Sequence, residues 1–236
     1  MGNMMNYGYG FDWTYLLVLI GAVISMLASS NVQSTYKKYA AVRSAGGITG
    51  AEAARRILQM SGVNDVTVEH VSGSLTDHYD PSSRTVRLSD ATFGSDSVAA
   101  LGVAAHECGH VMQHHQGYVP LNVRTALVPA ANIGSKAGLP LVIIGLLIGS
   151  FKPLITIGIF LFFFAVLFQV VTLPVEYNAS SRGLALLQDC GILGGEELEM
   201  GKKVLKAAAL TYVAAAASSV MQLLRLLMLS NRRSRR

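Results

Sequence analysis

Two histidines and a glutamate are spaced along one short segment so that they could bind a metal ion and activate water. His106 and His110 are four residues apart, and Glu107 lies between them. In a helix, residues i and i+4 share a face, so both imidazoles can reach one ion while the carboxylate lies beside the water on that ion. This HExxH pattern indicates hydrolysis by a zinc-activated water, with Glu107 as the general base.

The residues around this pattern favour the helix that the chemistry needs. Ser95 offers an N-cap and Gly117 offers a natural end. Between them, apolar residues recur at steps of three and four, as expected for a buried or half-buried helix: Val98, Leu101, Ala105, Cys108 and Met112. We therefore predict one helix on which the two histidines point the same way.

A catalytic zinc site needs a third protein ligand. We predict that this ligand is Glu176, since Pro174 can begin a helix at the end of an apolar segment and Glu176 then falls in its first turn. His114 and His115 are weaker alternatives. His114 lies about 12 Å along the helix axis from His106, and both residues suit the last turn of a helix. One zinc ion per chain is expected.

Composition favours a membrane protein. Hydrophobic residues make up 51% of the chain and charged residues only 14%, against about a quarter in soluble domains. The first apolar block, 13–30, is predicted to be an uncleaved transmembrane anchor rather than a signal peptide, because no Lys or Arg precedes it. Blocks 126–149 and 153–173 are joined so tightly that they should form an antiparallel hairpin, which would return Glu176 to the histidines.

The sequence leaves the placement of the last apolar block open. Block 207–229 is apolar but contains Arg225, so it could span the membrane or pack as a buried or interfacial helix.

Between the anchor and the histidines, Thr49 and Glu52 form a capping box that begins a helix, and two alternating segments predict strands. An extended peptide could pair with strand 85–88 if that strand is an edge; an ordinary core strand is an equal alternative.

Several further polar residues are candidates for stabilising the transition state or for supporting the ligands. They are His78 and Tyr79, beside a turn at Asp80, and Tyr177 and Asn178, beside Glu176. A polar cluster next to a turn is more often solvated structure than catalytic machinery. The two cysteines, Cys108 and Cys190, have no spacing typical of a disulfide framework or a zinc knuckle, so free thiols are expected.

The chain resembles the YugP-like neutral zinc metallopeptidases, bacterial membrane proteins similar in plan to the HtpX-like membrane proteases. The resemblance is carried by the N-terminal apolar helix, Thr49-Gly-Ala-Glu-Ala-Ala-Arg-Arg-Ile-Leu, Leu75-Thr-Asp-His-Tyr-Asp-Pro, the HExxH motif, the hydrophobic pair and Val175-Glu-Tyr-Asn-Ala-Ser. It implies that His106, His110 and Glu176 bind zinc and that Glu107 is the base. Ser180 stands where HtpX-like proteins often have aspartate, so the residue that would orient a zinc-binding histidine is unassigned, with Asn178 one possibility.

These observations predict a mainly α membrane protein, with transmembrane helices and a small α+β zincin-like catalytic domain that contains a short β-sheet and the HExxH helix. The expected regions are an N-terminal transmembrane anchor at 1–36, the catalytic region at 37–125, a transmembrane hairpin at 126–173, a third-ligand helix region at 174–206, and a C-terminal apolar helix with a basic tail at 207–236.

The predicted function is a membrane-embedded zinc endopeptidase of the gluzincin type, whose third ligand is a glutamate, acting on peptides or proteins at a lipid bilayer. The alternatives are a zinc-binding scaffold or quality-control subunit without proteolysis, a transporter in which Lys136 and Arg225 mark a path, and a pair of purely structural histidines. A homo-oligomer or a membrane partner is left open. Nucleic acid is not an expected partner, because membrane flanks and the tail account for the net charge of +5.

Basic residues suggest the orientation in the bacterial cell (inner) membrane. Residues 1–36 hold no Lys or Arg, whereas five basic residues follow the first block: Lys37, Lys38, Arg43, Arg55 and Arg56. The positive-inside rule then places the active site on the cytoplasmic face. The basic C-terminal tail would share that face only if block 207–229 does not cross the membrane.

Overall fold

Long helices and one small sheet make up the fold. The computed structural model describes residues 12–149 and 151–234, so the first residues of the predicted anchor region and the last two of the basic tail lie outside the described residues. Within the described chain the elements are α1 Tyr15–Ala40, α2 Gly50–Met60, β1 Thr67–Val71, β2 His78–Asp80, β3 Thr85–Ser89, α3 Asp90–Phe93, α4 Val98–His115, α5 Val119–Leu147, α6 Lys152–Asp189 and α7 Gly195–Ser234.

Four helices in the described part of the chain are long and apolar enough to cross a bilayer. They are α1, α5, α6 and the Gly195–Asn231 part of α7. This confirms the predicted fold class, a mainly α membrane protein with a small α+β domain. α5 and α6 form the expected antiparallel hairpin, in which Gly138 and Gly158 lie so close that a Cβ on Gly158 would be 2.7 Å from the Gly138 carbonyl oxygen.

Glu176 lies in the interior of a continuous helix. The prediction that Pro174 begins a helix is wrong, because α6 runs unbroken from Lys152 to Asp189 with Pro174 inside it. An internal proline removes one backbone hydrogen bond and costs about 3 kcal/mol. Packing of α6 against α4, α5 and α7 outweighs that cost and keeps the helix continuous past Glu176.

The sheet lies beside α4 and has the strand order β1-β3-β2. β3 is parallel to β1 and antiparallel to β2. Of the two alternatives for strand 85–88, the edge strand is wrong and the core strand is right: β3 is central, and Val86 and Leu88 are fully buried. Alternation along one strand cannot reveal which strands lie beside it. Among the described residues, β2 pairs with a strand on one side only, so β2 is an edge.

The small domain packs into one apolar core with α4. The predicted capping box at the start of α2 is confirmed, because the Thr49 hydroxyl accepts from the Glu52 backbone N–H and the Glu52 carboxylate accepts from the Thr49 backbone N–H. The helix buries Ile57 and Leu58 against α4. This core supports the HExxH helix on the side away from the histidine rings.

α7 runs antiparallel to α1. Ser218 donates its hydroxyl to the Gly21 carbonyl oxygen at 2.8 Å, and its Oγ lies 2.9 Å from Ser25 Oγ. Further along, the Arg225 guanidinium lies over the Tyr15 ring, 4.1 Å from its centroid. The apolar block 207–229 therefore lies lengthwise against the first helix.

Candidate metal centre

His106 and His110 lie in the middle turns of α4. Its N-cap is Ser97, whose hydroxyl accepts from the Ala100 backbone N–H, so the prediction of Ser95 as the N-cap is wrong by two residues. Ser95 instead donates its hydroxyl to Ser97 Oγ at 3.0 Å. Further along α4, the rings of His106 and His110 are neighbours, with centroids 4.8 Å apart and planes at 84°.

Two glycines allow α6 to approach the histidine helix closely. A Cβ on Gly109 would lie 2.2 Å from the Ala179 carbonyl oxygen, and a Cβ on Gly183 would lie 2.7 Å from the Ala105 carbonyl oxygen. These distances leave no room for a side chain at either position. The backbones of α4 and α6 therefore touch at two points, about one and two turns beyond Glu176 along α6.

This close contact places Glu176 against the two imidazoles. Its Oε2 atom lies 3.3 Å from His106 Nε2 and 3.7 Å from His110 Nε2. Glu176 is only 3% exposed, and within the described chain its Oε2 atom has no hydrogen-bond partner. Two imidazole nitrogens and a carboxylate oxygen form a donor set that suits zinc, so these three residues could hold the ion.

The second nitrogen of each ring is engaged on the far side. His106 Nδ1 lies 3.1 Å from Ser180 Oγ, and His110 Nδ1 lies 3.0 Å from Gln113 Oε1. Gln113 is fully buried and donates its amide to the Val175 carbonyl oxygen. The Gln113 oxygen is then left to accept from His110, which directs the Nε2 atom of that ring toward Glu176.

Neighbouring carboxylates act on the His110 ring. Burial favours the neutral ring, but the interaction with Glu176 and the charge of Glu107 outweigh burial and raise the pKa of His110. The carboxylates of Glu107 and Glu176 therefore favour a positive charge, such as a metal ion, between these side chains.

Two cavities meet at these residues. The larger has a volume of about 570 Å³ and the smaller about 140 Å³. Five residues line both: Asp77, His106, Glu107, Glu176 and Tyr212. Glu107 is largely buried and lies at this junction beside the histidines. A substrate bond held at the junction would be within reach of the Glu107 carboxylate.

The other residues singled out in the sequence are dispersed. His78 and Tyr79 line the larger cavity, and the Tyr79 hydroxyl lies 3.0 Å from His114 Nδ1. Tyr177 is 46% exposed and lines neither of these two cavities. Asn178 lies behind the ligands, where its Oδ1 accepts from the Gln113 amide at 3.0 Å and from Arg182 Nε at 2.6 Å.

The two histidines considered as alternative ligands lie outside the ligand cluster. His114 lines the larger cavity next to Tyr79, and His115 Nε2 lies 3.3 Å from Asp65 Oδ1. Both cysteines are free and buried, as expected. Burial raises the pKa of the Cys108 thiol, so this residue is an inert part of the core of α4.

Sequence reasoning missed several polar residues that line the larger cavity, and two of them lie near the candidate ligands. Arg124 of α5 has Nη1 4.0 Å from Glu176 Oε1, and its guanidinium lies over the Phe168 ring. Tyr212 of α7 faces both cavities. The available signal was weak: each is an isolated polar side chain at the end of, or inside, an apolar helix, and no motif connects it to the histidines.

Comparison with known proteins assigns the class. The model of the family described as "putative neutral zinc metallopeptidase" matches residues 14–231, so the chain belongs to that family of zinc peptidases. It is also similar to a protein of Bacillus subtilis (strain 168) named "Putative membrane protease YugP", with 46% identity over 216 residues, 91% of this chain and 96% of the relative. The resemblance predicted from the sequence is confirmed. No solved structure matches the chain.

Proposed function

We propose that this protein is a membrane-embedded zinc endopeptidase of the gluzincin type, in which His106, His110 and Glu176 hold the ion and Glu107 of the HExxH motif is the general base. The observation that carries the proposal is the buried Glu176 oxygen, which faces two imidazole nitrogens and has no hydrogen-bond partner within the described chain. A buried carboxylate oxygen without a hydrogen-bond donor is costly unless a cation compensates it. The Arg124 guanidinium approaches the other oxygen of Glu176, Oε1, at 4.0 Å and leaves Oε2 facing the imidazoles.

The catalytic role of Glu107 follows from its place at the junction of the two cavities. When bound, zinc supplies Lewis-acid polarisation and lowers the pKa of water. Glu107 accepts the proton of the attacking water and passes a proton to the departing amine nitrogen. Its burial beside His106 keeps the carboxylate close to the reacting carbonyl and away from bulk water.

Tyr212 is the residue that we assign to the developing negative charge on the substrate carbonyl oxygen. It lies at the same junction as Glu107, on the opposite helix, and a hydroxyl donor placed there would strengthen its hydrogen bond as charge develops. His78 and Tyr79 are the other donors of the larger cavity that we retain for this role; the Tyr79 hydroxyl lies 3.0 Å from His114 Nδ1.

Backbone pairing with β2 supplies a way to bind peptides. β2 pairs with β3 on one side, and His78 and Tyr79 of β2 line the larger cavity. An extended chain can add to such an edge through main-chain hydrogen bonds, which hold its backbone without requiring a chain terminus. This mode of binding favours cleavage of internal bonds in peptides or unfolded proteins.

The site is proposed to lie at a membrane surface. Glu176 is about 36 Å along α6 from Lys152, and the hydrocarbon core is about 30 Å thick. The cytoplasmic face is supported by basic side chains at this end of the bundle, where Lys38 of α1 meets Lys203 and Lys206 of α7 around one groove. We propose this orientation in the bacterial cell (inner) membrane.

The test is metal analysis of the purified protein together with cleavage of an unfolded model protein, comparing wild type with Glu107→Gln. The variant should retain zinc and lose at least about 100-fold of the cleavage rate, since general-base catalysis typically contributes that much or more. A wild-type protein that binds no zinc, or a Glu107→Gln variant that cleaves as fast as wild type, would overturn the proposal. The scaffold alternative predicts zinc binding with no cleavage by wild type or by Glu107→Gln, and that result would also overturn the proposal.

A further inference from the structure

The smaller cavity differs in chemistry from the larger one. Away from the metal centre and from Ser180 behind His106, its walls are aliphatic: Val103 of α4 and Leu205, Ala208 and Ala209 of α7 line it. The larger cavity is lined instead by many polar groups, among them Asn122, Arg124 and Thr125. A substrate side chain that enters the smaller cavity would exchange water for aliphatic contacts.

The cavity opens directly onto the reacting groups. His106, Glu107 and Glu176 form its border with the larger cavity, so a side chain seated in it belongs to a residue next to the cleaved bond. Its volume of about 140 Å³ is comparable to the roughly 150 Å³ of an apolar cavity that can hold benzene. It therefore suits one leucine- or phenylalanine-sized side chain.

Leu75 lies at the rim of this cavity in an unusual conformation. Its φ angle is +58°, in the left-handed region that residues other than glycine rarely adopt, and its side chain is 59% exposed. A strained and exposed leucine next to a catalytic centre indicates a constraint imposed by the surrounding structure.

Hydrogen bonds hold the loop around Leu75 at both ends. On one side, the Gly73 backbone N–H donates to Asp90 Oδ2 at 2.8 Å. On the other, the Asp77 carboxylate accepts from the backbone N–H and the hydroxyl of Ser89, each at 2.8 Å. The strained residue is thereby kept at the cavity rim, where it can close over a bound side chain.

We propose that the smaller cavity is a specificity pocket that takes an uncharged aliphatic or aromatic side chain of the residue next to the cleaved bond, with Leu75 as its outer wall. The inference rests on the proposed peptidase function and names its substrate class: peptides with a medium-sized apolar residue at that position. Acidic side chains are excluded by the carboxylates of Asp77, Glu107 and Glu176, and any charged group would lose water against aliphatic walls.

The test uses a peptide library in which one position at a time varies, with the zinc-loaded protein in detergent. Wild type should prefer Leu or Phe over Gly or Asp at one position by at least about 10-fold in kcat/KM. Ala208→Leu fills the pocket and should shift the preference to Gly or Ala, whereas Val103→Ala enlarges it and should shift the preference toward Phe. Ala215→Leu is the matched control, since Ala215 lies on α7 but lines neither cavity.

A binding measurement separates this proposal from the catalytic one. Glu107→Gln, alone and combined with each pocket substitution, is titrated with the same fluorescent peptides, and the same order of preference is expected without turnover. Cleavage by wild type with no side-chain preference, or a preference that neither pocket variant changes, would overturn the pocket while leaving the peptidase intact. Absence of cleavage by wild type would overturn the proposed function, and binding to Glu107→Gln would then decide the pocket alone. Thermal unfolding confirms that each variant is folded.

Discussion

At the scale of single residues, the candidate centre depends on how each imidazole is oriented. The spacing of His106 and His110 predicts a shared face, but it does not say which nitrogen of each ring points at the ion. Ser180 and Gln113 determine that, because each engages an Nδ1 atom from behind. The sequence had left the role of Ser180 unassigned and had not singled out Gln113, since the partner of a ring nitrogen is chosen by tertiary contact.

Replacement of Gln113 tests this orientation. Gln113→Leu removes the acceptor for His110 Nδ1 and should lower zinc affinity about 10- to 100-fold, as typical for loss of a group that orients a metal ligand. Gln113→Glu keeps an acceptor oxygen and should lose less. Affinity is measured by competition with a chromophoric chelator, with Gln59→Leu, an exposed position on α2, as the control. Unchanged affinity in Gln113→Leu would refute the orienting role.

At the scale of secondary-structure elements, the decisive contact is the crossing of α4 and α6. A helix through the HExxH segment and a helical hairpin that returns Glu176 follow from apolar periodicity and a short connection. The short distance between the two helices where they cross cannot be predicted from these patterns. It depends on Gly109 and Gly183, where a Cβ would overlap the backbone of the opposite helix. Backbone atoms cannot move aside as a flexible side chain can.

Two glycines of the same helix give a matched comparison. Gly109→Ala should force α4 and α6 apart and weaken zinc binding and cleavage at least about 10-fold, even though alanine favours a helix by about 1 kcal/mol. Gly102→Ala gains the same propensity, and its Cβ would lie 3.8 Å from Gly201, an ordinary contact. That variant should keep its affinity and gain thermal stability. If Gly109→Ala and Gly102→Ala had the same zinc affinity and cleavage rate, the close crossing of α4 and α6 would not be needed for the site.

At the scale of the whole molecule, the pairing of α7 with α1 determines how the chain lies in the membrane. Because α7 runs back along α1 past Ser25, Gly21 and Tyr15, the end of α7 lies near the start of α1. This end of α7, at Ser234, is opposite the end that carries the candidate metal centre. The basic groove around Lys38 is at the end with the candidate centre and supports the proposed cytoplasmic site.

Labelling of introduced cysteines tests the orientation. Ser83→Cys places a thiol in the exposed turn between β2 and β3, near the site, and Phe151→Cys places one at the opposite end, between α5 and α6. In intact cells, a membrane-impermeant reagent should label Phe151→Cys and should label Ser83→Cys only after the membrane is opened. The native cysteines are buried and should contribute little background. Labelling of Ser83→Cys from outside would reverse the orientation.

The sequence by itself determined the local parts of this protein: the HExxH helix, the capped helix at Thr49, the strands β1 and β3 but not the short β2, the apolar blocks and the three candidate ligands. Each is encoded by periodicity, capping or residue chemistry within a few neighbouring positions. Tertiary structure decided what lies next to what. It made β3 central, placed Pro174 inside α6, and brought Gln113, Arg124 and Tyr212 to the centre. These outcomes depend on packing between segments far apart in the chain, which no local pattern records.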